Sequence, residues 1–268
     1  MARVKDVIDI MQKIAPREHY FSEEYDNIGL IVGDKHAEVK KVLCCLDVTN
    51  DVLSEAIKVG ADMIVSHHPM IFAPIKNVTT ESVTGNKVYT AIKNGIHVFA
   101  AHTNLDFVRD GINDFLANEL GLLNVKVLYP YINEVEGFGR IGTLSSKQYC
   151  TVLKSELEVI LKDKYIRIVG EPFDEILNVA IINGAGGGDT KYIDMAIDAG
   201  ADCLVTADVK HHVAIYAKDR GLTLIEPQHF TMEFAYITRL VQILKIEAKA
   251  RKLDFEILQA VNEVNPRF

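Results

Sequence analysis

The chain has 268 residues, 49% hydrophobic and 25% charged, with a formal net charge of −8. That length holds one large domain or two modest ones with a full core, and the acidic balance without a basic stripe argues against wrapping a nucleic acid. Its four cysteines, Cys44, Cys45, Cys150 and Cys203, form no C-x-x-C pair; they read as small core residues in a reducing, cytoplasmic setting, and no apolar stretch is long enough for a membrane span.

Helix-like and strand-like segments alternate, which predicts an α/β fold. Apolar residues at Val4, Val7, Ile8, Met11 and Ile14 predict an amphipathic helix at the start, in place of a signal peptide. Val42–Val48 reads as a strand, followed by a helix capped by Thr49 or Asn50 and stopped at Gly60. Met63–Ser66 is a buried strand, Lys87–Lys93 a helix, His97–Ala101 a strand and Gly111–Leu120 a helix. The glycine-rich run Tyr131–Gly142 reads as a crossing between lobes, which sets expected lobes of 1–130 and 131–268. Beyond it come a helix at Lys147–Leu161, strands at Tyr165–Val169 and Val179–Ile182, and a helix at Lys191–Ala199. A strand at Cys203–Thr206, a helix at Val209–Lys218 and a strand at Leu222–Ile225 follow. A long helix near Met232–Lys249 and a strand at Phe255–Val261 complete the chain.

The second lobe repeats the first. Ala56 to Ser66 (AIKVGADMIVS) aligns with Ala196 to Thr206 (AIDAGADCLVT), and His102-x-x-x-Asp106 is answered by His229-x-x-x-Glu233. A helix, Gly-Ala-Asp and an apolar strand are common α/β grammar; the recurring His-x-x-x-acid is not. Two similar α/β lobes from an internal duplication are expected.

Four strand ends carry metal-competent residues: Ser66-His67-His68-Pro69, His102 to Asp106, Thr206 to His212, and Gln228 to Glu233. Open α/β sheets place ligands at strand carboxyl ends. Adjacent His67 and His68 point opposite ways on an extended chain, which suits two neighbouring ions. On a helix, His229 and Glu233 share a face. Imidazoles and carboxylates without thiolates suit a hydrolytic dinuclear centre better than a structural zinc site. The expected ligands are His67, His68, Asp106, His229 and Glu233, in the cleft between the lobes. His102 and His212 are the expected outer supporting groups or proton carriers, His212 reading equally as an exposed helix histidine; His97 reads as structural and His36 as solvated. The run Asn183-Gly184-Ala185-Gly186-Gly187-Gly188-Asp189 fails the dinucleotide fingerprint because Asp stands at 189. It reads either as a phosphate cradle, with Lys76, Lys87 and Lys210 as partners, or as a tightly packed turn.

These motifs, with Tyr25-Asp26-Asn27-Ile28-Gly29-Leu30-Ile31-Val32-Gly33 and Leu46-Asp47-Val48-Thr49, make the chain resemble the GTP cyclohydrolase 1 type 2 homologs, also called NGG-one-interacting-factor-three-like proteins. The resemblance covers nearly the whole chain. It implies two α/β lobes, two divalent cations (zinc, iron, manganese or nickel) on the five ligands named, and a ring-shaped homohexamer without an inserted middle domain. It also implies a nucleotide-like substrate: GTP and water would give formate and dihydroneopterin triphosphate. Another nucleotide or phosphoester as substrate, and a non-catalytic metal-binding regulator or scaffold, are the alternatives. The chain departs from the family pattern at Tyr25 (often Trp), at Ala207 and Gln228 (usually Gly) and at Phe230 (usually Tyr); none of these removes a ligand.

Overall fold

The computed structural model describes residues 1–18 and 26–267; Tyr25, part of the motif above, lies outside the described residues. The fold is mixed α/β. The chain divides into two compact units, Met1–Leu105 with Tyr236–Val264, and Asp106–Ala235 with Asn265–Phe268. Residue 130 lies inside β5 (Leu123–Asn133), which pairs antiparallel with β6 (Glu136–Tyr149). The glycines that look like a linker sit in these strands because the chains run too close for side chains. A Cβ at Gly139 would lie 2.7 Å from the Ile181 carbonyl.

The first unit holds α1 (Val4–Ile14), β1 (Gly29–Val32), β2 (Lys41–Cys45), α2 (Asn50–Val59), β3 (Met63–Ser66), α3 (Val83–Lys93), β4 (His97–Ala100) and β11 (Glu256–Gln259). Its sheet has the order β1-β4-β3-β2-β11, parallel except for β1. Thr49 caps α2 by accepting the Val52 N–H at 3.1 Å, and Ser82 caps α3 through the Gly85 N–H, also at 3.1 Å. Leu43, Ile64 and Val98 pack beneath Val52, Leu53 and Ala56 of α2 and Val88 and Ala91 of α3. Truncating one of these to alanine costs about 2–5 kcal/mol for a leucine or isoleucine.

The second unit holds α5 (Ile112–Glu119), β5, β6, α6 (Cys150–Leu161), β7 (Arg167–Val169), β8 (Glu175–Ile181), α7 (Lys191–Asp198), β9 (Cys203–Val205), α8 (His211–Asp219) and β10 (Thr223–Glu226). Its sheet order is β5-β6-β8-β9-β10-β7. Two helices contribute to both units: the short α4 (Thr103–Phe107) and the long α9 (His229–Ala250).

The duplication is explicit in the topology. The order β1-β4-β3-β2, with β1 antiparallel, is matched by β7-β10-β9-β8, with β7 antiparallel. One polar device recurs. Asp62, before β3, accepts the N–H groups of Lys40 (2.7 Å) and Lys41 (2.9 Å) at the start of β2. Asp202, before β9, accepts those of Leu177 (3.0 Å) and Asn178 (2.8 Å) in β8. The Gly-Ala-Asp match in the sequence is thus a structural equivalence. Among the described residues no helix is long and apolar enough to cross a membrane.

Candidate metal centre

In the first unit three parallel strands end in polar side chains. Pro69 and the hydrogen bond from Ser66 Oγ to the His68 carbonyl (2.8 Å) turn the chain after β3. His67 is fully buried, its Nδ1 donating to the Ala101 carbonyl at 2.8 Å. His68 Nδ1 donates to Asp47 Oδ1 at 2.9 Å, Asp47 lying just past β2. After β4, His102 Nδ1 donates to Asp26 Oδ1 at 2.7 Å. One ring nitrogen from each of His67, His68 and His102 lies within 4.8 Å of the other two. With Nδ1 directed to an oxygen, the neutral form of each ring carries its lone pair on Nε2. This is the arrangement that outer carboxylates and carbonyls impose on metal-ligating histidines. Burial pushes the Asp26 carboxyl up, but hydrogen bonds from His102 and Thr103 outweigh it and hold the group below its ordinary value.

In the second unit His229 opens α9, and its Nδ1 lies 2.7 Å from Asp208 Oδ2. His229 Nε2 lies 3.0 Å from Glu233 Oε2, one helical turn on, and Glu233 is buried. Asn183, just past β8, gathers the acids: its Nδ2 donates to Asp106 Oδ1 at 3.0 Å and to Glu233 Oε1 at 3.1 Å. Asn183 is itself held by Asn113, which accepts its N–H at 2.9 Å and donates to its Oδ1 at 2.6 Å. Gly184 packs against this carboxylate. A Cβ there would sit 2.6 Å from Glu233 Oε1, and its φ of +66° disfavours any other residue.

The glycine run therefore serves close packing: Ala185–Gly188 forms one 3-10 turn, and the Gly187 N–H donates to the Ala207 carbonyl at 3.0 Å. His102, expected as an outer supporting group or proton carrier, has a ring nitrogen within 4.8 Å of those of His67 and His68. His212 is exposed at the second position of α8. His97 is structural, its Nδ1 accepting the Asp34 N–H at 3.2 Å. Asn183 heads the glycine run, whose pattern does not mark it as a holder of acids; its place just after a core strand is the sequence signal that could have found that role. The donors are imidazole nitrogens and carboxylate oxygens, while all four cysteines are buried as free thiols, that of Cys44 pushed up to about 12 by burial. This set fits a borderline or hard divalent cation.

The fold and these groups define a class: a duplicated α/β protein with metal-competent histidines and acids at the carboxyl ends of its parallel strands. The chain belongs to the Duf34/NIF3 (NGG1p interacting factor 3) family, whose profile matches residues 2–266. It is 32% identical over 268 residues to a GTP cyclohydrolase 1 type 2 homolog of Clostridium acetobutylicum, covering 98% of this chain and 97% of that protein. It is 30% identical to a homolog of the same name from Methanocaldococcus jannaschii, covering 96% and 98%. The solved structure of a Bacillus cereus protein related to NIF3 superposes with a TM-score of 0.92 at 25% identity, covering 99% of this chain and 98% of that one.

Proposed function

We propose that this chain is a metal-dependent hydrolase using two divalent cations, with His67, His68, Asp106, His229 and Glu233, joined by His102, as their ligands. The observation that carries the reading is the shared state of the imidazoles. His67, His68 and His102 all direct Nδ1 to an oxygen, which in the neutral ring leaves Nε2 as the donor; His229 directs Nδ1 to Asp208 and Nε2 to Glu233. Two divalent cations held there would supply Lewis acidity that lowers the pKa of water and stabilises a developing oxyanion.

The chain's own residues supply the remainder. Asn183 keeps Asp106 and Glu233 together against their mutual repulsion. His212, exposed on α8, is the proton carrier of this reading: its imidazole takes the proton of the attacking water and returns it to the leaving nitrogen. The names of the relatives point to GTP as the first substrate to test, one water adding at C8 of guanine to break the C8–N9 bond and a second breaking the N7–C8 bond so that the carbon leaves as formate. We further place the protein in the cytoplasm, as a homohexamer, which light scattering would check.

The test is elemental analysis of protein purified without chelator, followed by a formate assay with GTP and other nucleotides. Two metal equivalents, with turnover abolished in Asp106→Ala and Glu233→Gln, are expected. Metal uptake with no turnover on any nucleotide or phosphoester would favour a non-catalytic regulator. Absence of metal uptake would retire the hydrolase.

A further inference from the structure

Residues 261–267 touch the supports of both histidine groups, although none of them is a metal donor. We propose that this segment is a positioning strap: Glu263 acts on His68 through Asp47, and Arg267 acts on His229 through Asp208. The inference rests on the metal-site reading above.

The strap is anchored first. Past β11, Glu55 of α2, only 6% exposed, accepts the N–H groups of Val261 at 3.0 Å and Asn262 at 2.8 Å. The chain then turns Glu263 inward, where it is 7% exposed. Its carboxylate accepts the Leu46 N–H at 2.9 Å and, through the other oxygen, the Asp47 N–H. Two consecutive backbone donors ending on one buried carboxylate fix the peptide that carries Asp47, and the Asp47 side chain holds His68 Nδ1 at 2.9 Å. Burial pushes the Glu263 carboxyl up to about 7. A buried acid is costly, and the two N–H groups of this turn are the partners it meets there.

Further along, Asn265 Nδ2 donates to Oε1 of Gln228, the neighbour of His229. Pro266 restricts the backbone before Arg267. Arg267 Nη1 lies 3.2 Å from Asp208 Oδ1, while Asp208 Oδ2 holds His229 Nδ1 at 2.7 Å. A carboxylate engaged at both oxygens cannot rotate away from its imidazole. An ion pair with Arg267 61% exposed adds little to stability; its effect is on orientation.

The test uses the full-length protein with 15N-labelled histidine, freed of metal. Two-bond 1H–15N spectra report which ring nitrogen holds the proton. Wild type should show the Nδ1–H tautomer at His68 and a proton held at Nδ1 of His229, whose Nε2 faces Glu233. Glu263→Ala should convert His68 to a mixture while leaving His229 unchanged, and Arg267→Ala should do the reverse. Glu263→Gln, which keeps the size but one acceptor for two N–H groups, serves if the alanine variant does not fold. Zinc alone, titrated by calorimetry, should bind Glu263→Ala roughly tenfold more weakly, the low end for loss of an outer contact. Folded variants whose His68 and His229 spectra match wild type overturn the strap. Wild type that takes up no zinc retires the metal reading, while the tautomer spectra still decide the strap.

Discussion

Asp208 holds His229 from a left-handed backbone: its φ is +54°, and its Oδ2 lies 2.7 Å from His229 Nδ1. Asp and Asn tolerate this conformation better than other residues with a Cβ. Asp208→Asn should therefore leave thermal stability within about 0.5 kcal/mol of wild type, a typical surface effect. The neutral amide is a weaker acceptor, so metal affinity should fall by about 10-fold to 100-fold. Paired melting curves and calorimetry check both halves of this prediction, and unchanged affinity would remove Asp208 from the site.

Asn183 lies between two acids, which makes its replacement sensitive to charge. Asn183→Ala should destabilise the metal-free protein by about 1–3 kcal/mol, the cost of stripping hydrogen bonds from buried groups. Asn183→Asp adds a third carboxylate beside Asp106 and Glu233. Like charges raise carboxyl pKa values in the fold above the unfolded ones, so stability should rise as pH falls and the group takes up a proton. The melting temperature of this variant, relative to wild type, should recover between pH 8 and pH 5.

Gly184→Ala tests the packing against Glu233. The added carbon would meet Glu233 Oε1 at 2.6 Å in a backbone conformation that favours glycine. A loss of about 1–3 kcal/mol from strain is expected, with weaker metal uptake because Glu233 must move. A variant of wild-type stability and metal content would show that the turn yields easily.

Asp26 has its carboxyl held below the ordinary value of 3.8, burial being outweighed by His102 and Thr103. A depressed folded pKa contributes stability that is present above the unfolded value and is lost as acid carries the pH down through the folded value. Asp26→Asn should therefore flatten the acid limb of the stability curve and leave the His102 ring less firmly oriented. Urea titrations from pH 6 down to pH 2 would measure the limb.

Glu263 has the opposite sign. Its carboxyl is raised from 4.5 to about 7, first by burial. The folded state then binds more protons than the unfolded one between those values, so stability on this account falls as pH rises from 4.5 to 7. The shift corresponds to something on the order of 3 kcal/mol. Glu263→Gln should lack that slope in metal-free protein, and an identical slope in variant and wild type would assign it elsewhere.

Much of this arrangement was legible in the chain because its signals are local. The bounds of α1 and β3 follow from the apolar spacing of Val4 to Ile14 and of Met63 to Val65. The pairing of His229 with Glu233 follows from helical periodicity, and the duplication from the repeated Gly-Ala-Asp taken with the recurring His-x-x-x-acid. What stayed hidden depends on distant partners. Asp26 lies 76 residues from His102, and Asn183 lies 77 from Asp106 and 50 from Glu233. No local pattern announces a carboxylate that orients an imidazole across such intervals. The hairpin of β5 and β6 was hidden for another reason: glycines at Gly137, Gly139 and Gly142 look like a linker, whereas they let two strands approach closely. His102 reads as a proton carrier or outer group when only its sequence neighbours are considered, and its place beside the His67 and His68 rings comes from the fold.

The paired aspartates at the far ends of β3 and β9 act as datum points. Sliding β3 by a single residue along β2 would exchange the faces of His67 and His68 and leave Asp47 opposite the wrong ring. Apolar β3, buried on every residue, has no hydrophobic alternation of its own to forbid that slip. The two N–H groups captured by Asp62 forbid it instead, so the alignment of the histidines is set several residues upstream of them. Asp62→Asn, remote from every donor, is the place where the site's geometry can be loosened without touching its chemistry.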